Sequence, residues 1–323
     1  MLTINRTRFL DTLSTVAELG LLPDSAGGGR DRRPFSPAER EARRYFTQQA
    51  EAGGLTVSTD AAANLSAKLS CGPADAKTLL LGSHLDTVPN GGPYDGALGV
   101  ISGLEVLQVV AEEGLSLPFD LEAIAFTDEE GHFGDFFGSR SLAGSHTDRT
   151  LNTFFVQAET FPDDLAAMSA LVPGGVTRQA LAKAVRNPQI LAGYLELHIE
   201  QGPRLEHAGL AVGEVSAIFG RSSFKHTFIG RPDHAGTTPM DLRADALVAA
   251  GQFVTRAPAL VREMFPEAVI TCGGIDAEPG VYNVVPGRTT LLVEFRAATQ
   301  VELAGIDEAL QDLAAEITSS PEQ

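Results

Sequence analysis

The sequence is short of basic side chains. Its 323 residues include 24 lysines and arginines against 42 aspartates and glutamates, which gives a net charge of −18 at pH 7. Binding to nucleic acid requires a basic surface that contacts the phosphates. The charge balance therefore argues against nucleic acid as a partner. It leaves room for a small anionic ligand, because residues 215–300 carry as many basic as acidic residues.

Cysteine and long apolar runs are also scarce. Cys71 and Cys272 are the only cysteines, and they form neither a CxxC pair nor a disulfide framework, so a reducing compartment is the simpler interpretation. No apolar run approaches the ~18 residues that span a bilayer. Residues 1–10 contain two arginines and lack the apolar core of a signal peptide. The sequence predicts a cytoplasmic protein with no membrane partner.

What the sequence does contain is an alternation of strand and helix patterns. Ser36-Pro37-Ala38-Glu39 is a capping box that predicts a helix over 36–52. Apolar spacing predicts a second helix over 97–113, and short apolar runs predict strands at 55–58, 64–69, 78–83, 121–126 and 191–198. This order is typical of βαβ units. We therefore expect an α/β domain with a mostly parallel sheet covered by helices.

The pattern changes near residue 212. Alternating residues predict strands at 212–219, 223–229, 267–275, 281–285 and 289–297, and helical spacing predicts helices at 242–257 and 301–317. Strands with two long helices on one side indicate a small α+β sandwich. The sequence therefore predicts two domains, residues 1–211 and residues 212–323.

Three groups of histidine and acidic residues each follow an apolar run. They are Gly82-Ser83-His84-Leu85-Asp86 with Tyr94-Asp95-Gly96, Thr127-Asp128-Glu129-Glu130-Gly131-His132, and Glu196-Leu197-His198-Ile199-Glu200-Gln201-Gly202-Pro203. Open α/β sheets bind ligands at the carboxyl ends of their strands. Histidine and aspartate without cysteine suit Zn, Mn, Ni or Co. The three groups together predict a metal centre at one edge of the sheet.

Two metals about 3.5–4 Å apart need a bridging oxygen ligand. Asp95 is the natural bridge, because a short carboxylate on a glycine- and proline-framed loop can present both oxygens. We expect His84 to bind the first metal, Asp86 to orient its ring, and His198 to complete this ligand set.

Glu129 and Glu130 are neighbours at a strand end and should point differently. One can bind metal while the other takes a proton from activated water. Asp128, His132 and His207 lack such support, and we expect them to be surface or loop residues.

Residues 233–240 join a predicted strand to a predicted helix, which Thr238 could cap with Pro239 at the first helical position. That role does not explain His234, whose imidazole could stabilise an oxyanion. Asn283 and Arg296 lie on later predicted strands, where they could bind an amide and a carboxylate.

At these residues the chain resembles the amidase/hydantoinase/carbamoylase branch of the M20 metallopeptidase-like family. That branch includes N-carbamoyl-L-amino-acid hydrolases, β-ureidopropionases and allantoate amidohydrolases. His198 stands where peptidase relatives use an acidic ligand, which favours this branch. The motifs that carry the resemblance are Gly82-Ser83-His84-Leu85-Asp86, Asp95-Gly96, Phe126-Thr127-Asp128-Glu129-Glu130-Gly131, Glu196-Leu197-His198-Ile199-Glu200-Gln201-Gly202-Pro203, His234-Ala235-Gly236-Thr237-Thr238-Pro239-Met240 and Asn283-Val284-Val285-Pro286-Gly287.

The resemblance implies a set of roles. His84, Asp95 and His198 would bind one divalent metal, and Asp95 with Glu130 the other. The metals would be Zn or Mn, with Co or Ni as alternatives. Glu129 would be the general base. The segment from 212 would be a lid and dimerisation domain of a homodimer. The residues expected to contact substrate are Gln201, His234, Asn283 and Arg296.

The implied reaction is hydrolysis of a carbamoyl or ureido C–N bond by metal-activated water. The substrate would be a small anion, either an N-carbamoyl-L-amino acid or allantoate, and the sequence leaves this choice open, as it does the subunit that supplies His234. Family members end with a further histidine in a Gly-His-Asp-Ala-like motif, which this sequence lacks up to Gln323. We therefore expect a second metal without its terminal ligand. The alternatives are a truncated, non-catalytic remnant that acts as a dimeric binding protein, or a dipeptidase or aminopeptidase of the same superfamily.

Overall fold

The structure, a computed structural model, describes residues 3–23 and 27–319. The chain divides into two units, Met1–His207 and Ala208–Gln323. This division falls next to the predicted boundary at 211/212. Within the described residues, no helix is both long enough and apolar enough to cross a membrane.

The first unit is built from a five-stranded sheet and its surrounding helices. Its elements are α1 (Arg6–Glu18), α2 (Pro37–Ala52), β1 (Thr56–Thr59), β2 (Leu65–Leu69), β3 (Thr78–His84), α3 (Ala97–Glu112), β4 (Asp120–Phe126), α4 (Phe137–Ala143), α5 (Asp148–Ala158), α6 (Pro162–Ala170), α7 (Arg178–Leu181) and β5 (Leu191–Leu195), with α8 (Arg204–Ala208) at the division between the units.

The sheet has the strand order β1-β2-β4-β3-β5. β3 pairs in parallel with both β4 and β5, whereas β2 is antiparallel to β1 and β4. Four strands thus run in one direction and β2 opposes them, which confirms the predicted α/β class with a mostly parallel sheet. His84 lies opposite Phe126 in the β3–β4 register. The residues that follow the two strands therefore emerge side by side at one edge.

Helices α2 and α3 form where the sequence predicts them. Ser36 caps α2, because its hydroxyl accepts the Glu39 N–H at 3.3 Å. The Glu39 carboxylate then accepts the N–H of Phe35 at 3.0 Å, one residue earlier than a standard capping box. Along α3, Val100, Leu104 and Leu107 are buried in the main apolar core of this unit. The packing of α3 in this core therefore fixes the position of the loop that precedes the helix.

The second unit contains a three-stranded antiparallel sheet, β6-β10-β8, and a two-stranded pair, β7-β9. Alternate β10 residues Leu291, Val293 and Phe295 are buried in one core with residues of α9 and α10, as expected for an α+β sandwich. The elements are β6 (Gly220–Ile229), β7 (Asp233–His234), α9 (Ala246–Met264), β8 (Val269–Glu278), β9 (Val284–Val285), β10 (Arg288–Ala297) and α10 (Gln300–Ser319).

Three local predictions are wrong. Residues 212–219 form no strand, and Val215 and Ile218 are 75% and 88% exposed, because no neighbouring strand pairs with this segment. Thr238 and Pro239 do not begin a helix: residues Met240–Leu242 form a short 3₁₀ turn. The helix begins at Ala246, where the Asp245 carboxylate accepts two N–H groups at 2.9 and 3.2 Å. The strand predicted to reach His198 ends at Leu195.

Candidate metal centre

His84 is the last residue of β3 and only 4% exposed. Its Nδ1 lies 2.9 Å from the main-chain oxygen of Asp86, so Nδ1 carries the proton and donates. The remaining ring nitrogen, Nε2, then has a free lone pair and lies 3.9 Å from Asp95 Oδ1. This is the usual arrangement of a metal-binding imidazole, whose second nitrogen is held by a hydrogen bond.

The Asp86 carboxylate does not bond to that ring, although the sequence predicted that it would orient it. Its nearest oxygen is 3.8 Å from His84 Nδ1, which is too long for a hydrogen bond. Instead the carboxylate accepts the main-chain N–H groups of Glu129 at 3.4 Å and of Glu130 at 3.1 Å. Asp86 therefore links the loop after β3 to the loop after β4. Its carbonyl holds the histidine and its carboxylate holds the two glutamates.

Two imidazole rings lie near the Asp95 carboxylate. Its Oδ1 is 3.1 Å from Nε2 of His198 and 3.9 Å from Nε2 of His84. The His198 Nδ1 lies 2.7 Å from its neighbour's carbonyl oxygen, so this ring too presents Nε2. The ligand atoms of the three residues lie within 4.8 Å of one another. The structure thus brings together the three residues predicted to hold the first metal.

The charges in this cluster suit the binding of a cation. Oδ1 of Asp95 is buried, and Nε2 of His198 approaches it at 3.1 Å. The Asp95 carboxylate raises the pKa of His198 to about 9. Burial raises the pKa of the Asp95 carboxyl, but the contacts of His198 and Gln201 outweigh it and the net shift is downward. A buried carboxylate oxygen faced by two Nε2 atoms suits a divalent cation, which both kinds of ligand bind.

Glu130 and Glu129 lie beside this cluster in different surroundings. Oε1 of Glu130 is 3.9 Å from Nε2 of His84, and burial raises the pKa of its carboxyl. Both oxygens of Glu129 accept the Ser139 hydroxyl, at 2.7 and 3.0 Å. Burial raises the pKa of Glu129 to about 7. A carboxyl with that pKa can accept and return a proton at neutral pH.

Gln201 was predicted to contact substrate, and the structure places it on a metal-ligand candidate. Its side-chain amide donates to Oδ2 of Asp95 at 2.7 Å. The two oxygens of Asp95 therefore have different partners: Oδ1 faces two imidazoles and Oδ2 accepts an amide N–H.

The second unit brings two of its three predicted site residues together. His234 pairs with Val284, and the N–H of Ala235 donates to the carbonyl of Asn283 at 3.0 Å. The Gly236 N–H donates to His234 Nδ1 at 3.0 Å, so the ring proton is on Nε2. Arg296 is ion-paired with Glu294 and lies eight residues along β10 from Arg288. Arg288 lies three residues after β9, which pairs with His234. At about 3.3 Å per residue the eight residues span roughly 26 Å, so Arg296 lies far from the other two.

Two residues that position the site were not anticipated from the sequence. Arg32 is fully buried, and its guanidinium donates to main-chain carbonyls at 3.0–3.3 Å; these are the carbonyls of Val16, Leu19, Leu85 and Pro93. Asp128, expected to be a surface or loop residue, lies in the loop after β4 but is only 1% exposed. Its carboxylate accepts the N–H groups of His132, Phe133 and Gly134 at 2.7, 3.0 and 2.9 Å. No sequence periodicity marks either residue, because their partners are main-chain atoms.

Two family models match the chain. Residues 64–185 match peptidase family M28, and residues 216–320 match a peptidase dimerisation domain. The first range carries His84, Asp95, Glu129 and Glu130, and the second carries His234, Asn283 and Arg296.

Relatives of known function are similar over most of the chain. An N-carbamoyl-L-amino acid amidohydrolase from Geobacillus stearothermophilus is 38% identical over 86% of this chain and 67% of its own length. The chain belongs to the amidase/hydantoinase/carbamoylase branch of the M20-type family. Allantoate deiminase 2 from Glycine max is 32% identical over 95% of this chain and 66% of its own length. The chain thus spans about two thirds of the length of these two relatives.

The fold of this family member agrees with solved structures. A hydantoinase/carbamoylase family amidase from Burkholderia phymatum superposes with a TM-score of 0.81 at 35% identity, covering 98% of this chain and 76% of that one. The predicted family and the predicted fold class are both confirmed.

Proposed function

We propose that this chain is a metal-dependent amidohydrolase that cleaves the C–N bond of a carbamoyl or ureido group. Its substrate would be an N-carbamoyl-L-amino acid or allantoate, which the relatives' names suggest. The observation that carries the proposal is the His84–Asp95–His198 cluster beside a glutamate with a pKa of about 7. In a member of this family, that combination supports hydrolysis by activated water.

The geometry of the cluster supports the following metal ligands. His84, Asp95 and His198 would hold one divalent cation, and Asp95 with Glu130 a second. Zn or Mn fits this histidine and carboxylate set, and Co and Ni are further candidates. When bound, such cations supply Lewis acidity that activates water and polarises the ureido carbonyl.

Glu129 would be the general base. Its carboxylate would take a proton from the attacking water and return one to the departing nitrogen, so that ammonia or an amine leaves in neutral form. Ser139 supports this role, because its hydroxyl donates to the carboxylate and fixes its orientation. Asp86 would be a positioning residue that holds Glu129 and Glu130 through their main-chain N–H groups.

The second unit would supply the groups that bind substrate. The Nε2–H of His234 would donate to the developing oxyanion, with the Asn283 amide beside it, and Arg296 would bind the substrate carboxylate. One copy of this unit separates Arg296 from His234 by far more than the length of such a substrate. We therefore propose a homodimer in which the two chains share these roles. The two free cysteines fit a cytoplasmic location.

The test is ammonia release by the full chain loaded with Zn or Mn. We expect activity on N-carbamoyl-L-amino acids or on allantoate, and the preferred substrate decides between the two. Glu129→Gln should lower kcat by about 10²–10⁴-fold while leaving the bound metal in place. Glu113→Gln, an exposed control at the end of α3, should change nothing. A loaded protein that is silent on both substrate classes, or that cleaves dipeptides instead, would overturn the proposal.

A further inference from the structure

Gln201 and His198 lie on one loop and contact the two oxygens of the same carboxylate. His198 approaches Oδ1 of Asp95 at 3.1 Å, and the Gln201 amide donates to Oδ2 at 2.7 Å. A carboxylate that bridges two cations must give one oxygen to each of them. In this structure Oδ1 faces the two imidazoles that would hold a cation together with it, whereas Oδ2 accepts the amide N–H of a residue outside that ligand set.

The loop holds Gln201 in this position by its own structure. Gln201 has φ = +57°, a left-handed conformation that residues other than glycine adopt rarely. On its carboxyl side, the Glu200 carboxylate accepts the N–H groups of Arg204 and Leu205 at 2.9 and 2.8 Å. The side chain one residue before Gln201 thus bonds to the backbone three and four residues after it, which restrains the loop around Gln201. A strained residue that is fixed in this way and aimed at a ligand oxygen indicates a functional constraint.

We propose that Gln201 controls whether Asp95 can bridge two cations, and therefore the order in which they bind. The first cation binds to His84, His198 and Oδ1 of Asp95 while the Gln201 amide remains on Oδ2. The second cation binds to Oδ2 and Glu130 only after that amide has moved away. Gln201 thus acts through Asp95 as a positioning residue. The inference rests on the metal centre that we propose above.

The experiment is an equilibrium titration of the metal-free full chain with Co²⁺. Binding is monitored by calorimetry and by the visible absorption of bound cobalt. Wild type should bind one equivalent tightly and a second at least about tenfold more weakly. Gln201→Ala should tighten the second step about tenfold, because one hydrogen bond to a charged acceptor no longer competes; this corresponds to about 1.4 kcal/mol. The first step should change less than about threefold.

A second substitution of Gln201 and a control variant test the same proposal. Gln201→Glu cannot donate to Asp95 and adds an oxygen, so it should bind the second Co²⁺ more tightly than Gln201→Ala does. Gln157→Ala, an exposed glutamine on α5, should titrate like wild type. Two equally tight equivalents in wild type, or a Gln201→Ala titration identical to wild type, would overturn the proposal.

Asp95→Asn separates the failure of this inference from the failure of the metal centre itself. If the centre is placed correctly, Asp95→Asn loses both binding steps. If Asp95→Asn titrates like wild type, Co²⁺ binds elsewhere and the proposed centre is wrong. If Asp95→Asn loses binding but Gln201→Ala changes nothing, the centre stands and only the role of Gln201 is overturned.

Discussion

The imidazole of His84 packs directly on the backbone of Gly96. A Cβ atom at Gly96 would lie 2.4 Å from Nδ1 of His84, well inside contact distance. Gly96 also has φ = +66° and is the N-cap residue of α3. The position therefore requires both the left-handed backbone and the missing side chain that glycine offers. This explains why glycine follows Asp95 in the chain.

Gly96→Ala should displace the His84 ring and weaken cation binding at least about tenfold, since a metal ligand shifted by this clash loses its geometry. The measurement is Zn²⁺ or Co²⁺ affinity in competition with a chelator. Gly114→Ala is the matched control: Gly114 has φ = +59°, but no atom lies within 4 Å of a Cβ there. It should cost only the backbone strain, about 1 kcal/mol of stability, and leave the affinity unchanged. Wild-type affinity in Gly96→Ala would contradict this account.

Arg32 should prove essential to the loops that carry the ligands. Its guanidinium joins two carbonyls, those of Leu85 (one residue after His84) and Pro93 (two residues before Asp95), to the end of α1. Burial lowers its pKa to about 10, so it stays charged at neutral pH. Arg32→Lys loses most of these bonds and should lower the free energy of unfolding by about 3 kcal/mol, as measured by urea denaturation.

The neighbouring Arg33→Lys is the control for Arg32→Lys, because the Arg33 side chain is 36% exposed and pairs with Asp31. It should change stability by less than about 0.5 kcal/mol. Equal effects of the two substitutions would show that the carbonyl contacts of Arg32 contribute little.

The positions of the metal-ligand candidates were predictable because they depend on strand ends. β3 and β4 are short apolar runs, and parallel pairing places His84 level with Phe126. Everything that directly follows these strands then meets at one edge. The sequence also identifies α2 and α3, whose caps and apolar spacing are local features. Such features require no knowledge of distant partners.

What could not be predicted depends on contacts between distant main-chain atoms. The orienting group for His84 is a carbonyl oxygen rather than the Asp86 carboxylate, and every residue has a carbonyl. The Arg32 guanidinium likewise donates to main-chain carbonyls. The four helices α4–α7 between β4 and β5 were missed, as was the exposure of residues 212–219, which depends on whether a neighbouring strand is present.

Asp128 should stabilise the loop that follows Glu130. Its buried carboxylate accepts three main-chain N–H groups, from His132, Phe133 and Gly134. Asp128→Ala leaves those donors without an acceptor and should lower the free energy of unfolding by about 3 kcal/mol. Asp128→Asn should cost less, because its amide oxygen still accepts. Thermal and urea unfolding measure both, with the exposed Asp75→Ala as a neutral control. A loss below about 1 kcal/mol in Asp128→Ala would refute this role.

Glu129 should make the stability of the metal-free protein depend on pH. Burial raises its pKa from 4.5 to about 7, so the folded state holds a proton that the unfolded state releases between these values. Below pH 4.5 the carboxyl is neutral in both states and carries no penalty. As pH rises from 4.5 to 7 the unfolded carboxyl ionises while the folded one keeps its proton, so stability falls. The total loss is about 2 kcal/mol once partial solvent screening is allowed for, and it levels off above pH 7.

Glu129→Gln removes this titration, so the comparison isolates it. The variant should gain stability relative to wild type as pH rises from 4.5 to 7, and the difference should stay constant above about pH 8. Ser139→Ala removes the hydrogen bond to the ionised carboxylate, which raises the pKa of Glu129 further and moves the upper limit of this window to higher pH. Ser145→Ala, at an exposed position, should match wild type. A wild-type-minus-variant difference that is flat from pH 4.5 to 8 would mean that Glu129 has the same pKa in the folded and unfolded states. Burial would then not raise its pKa.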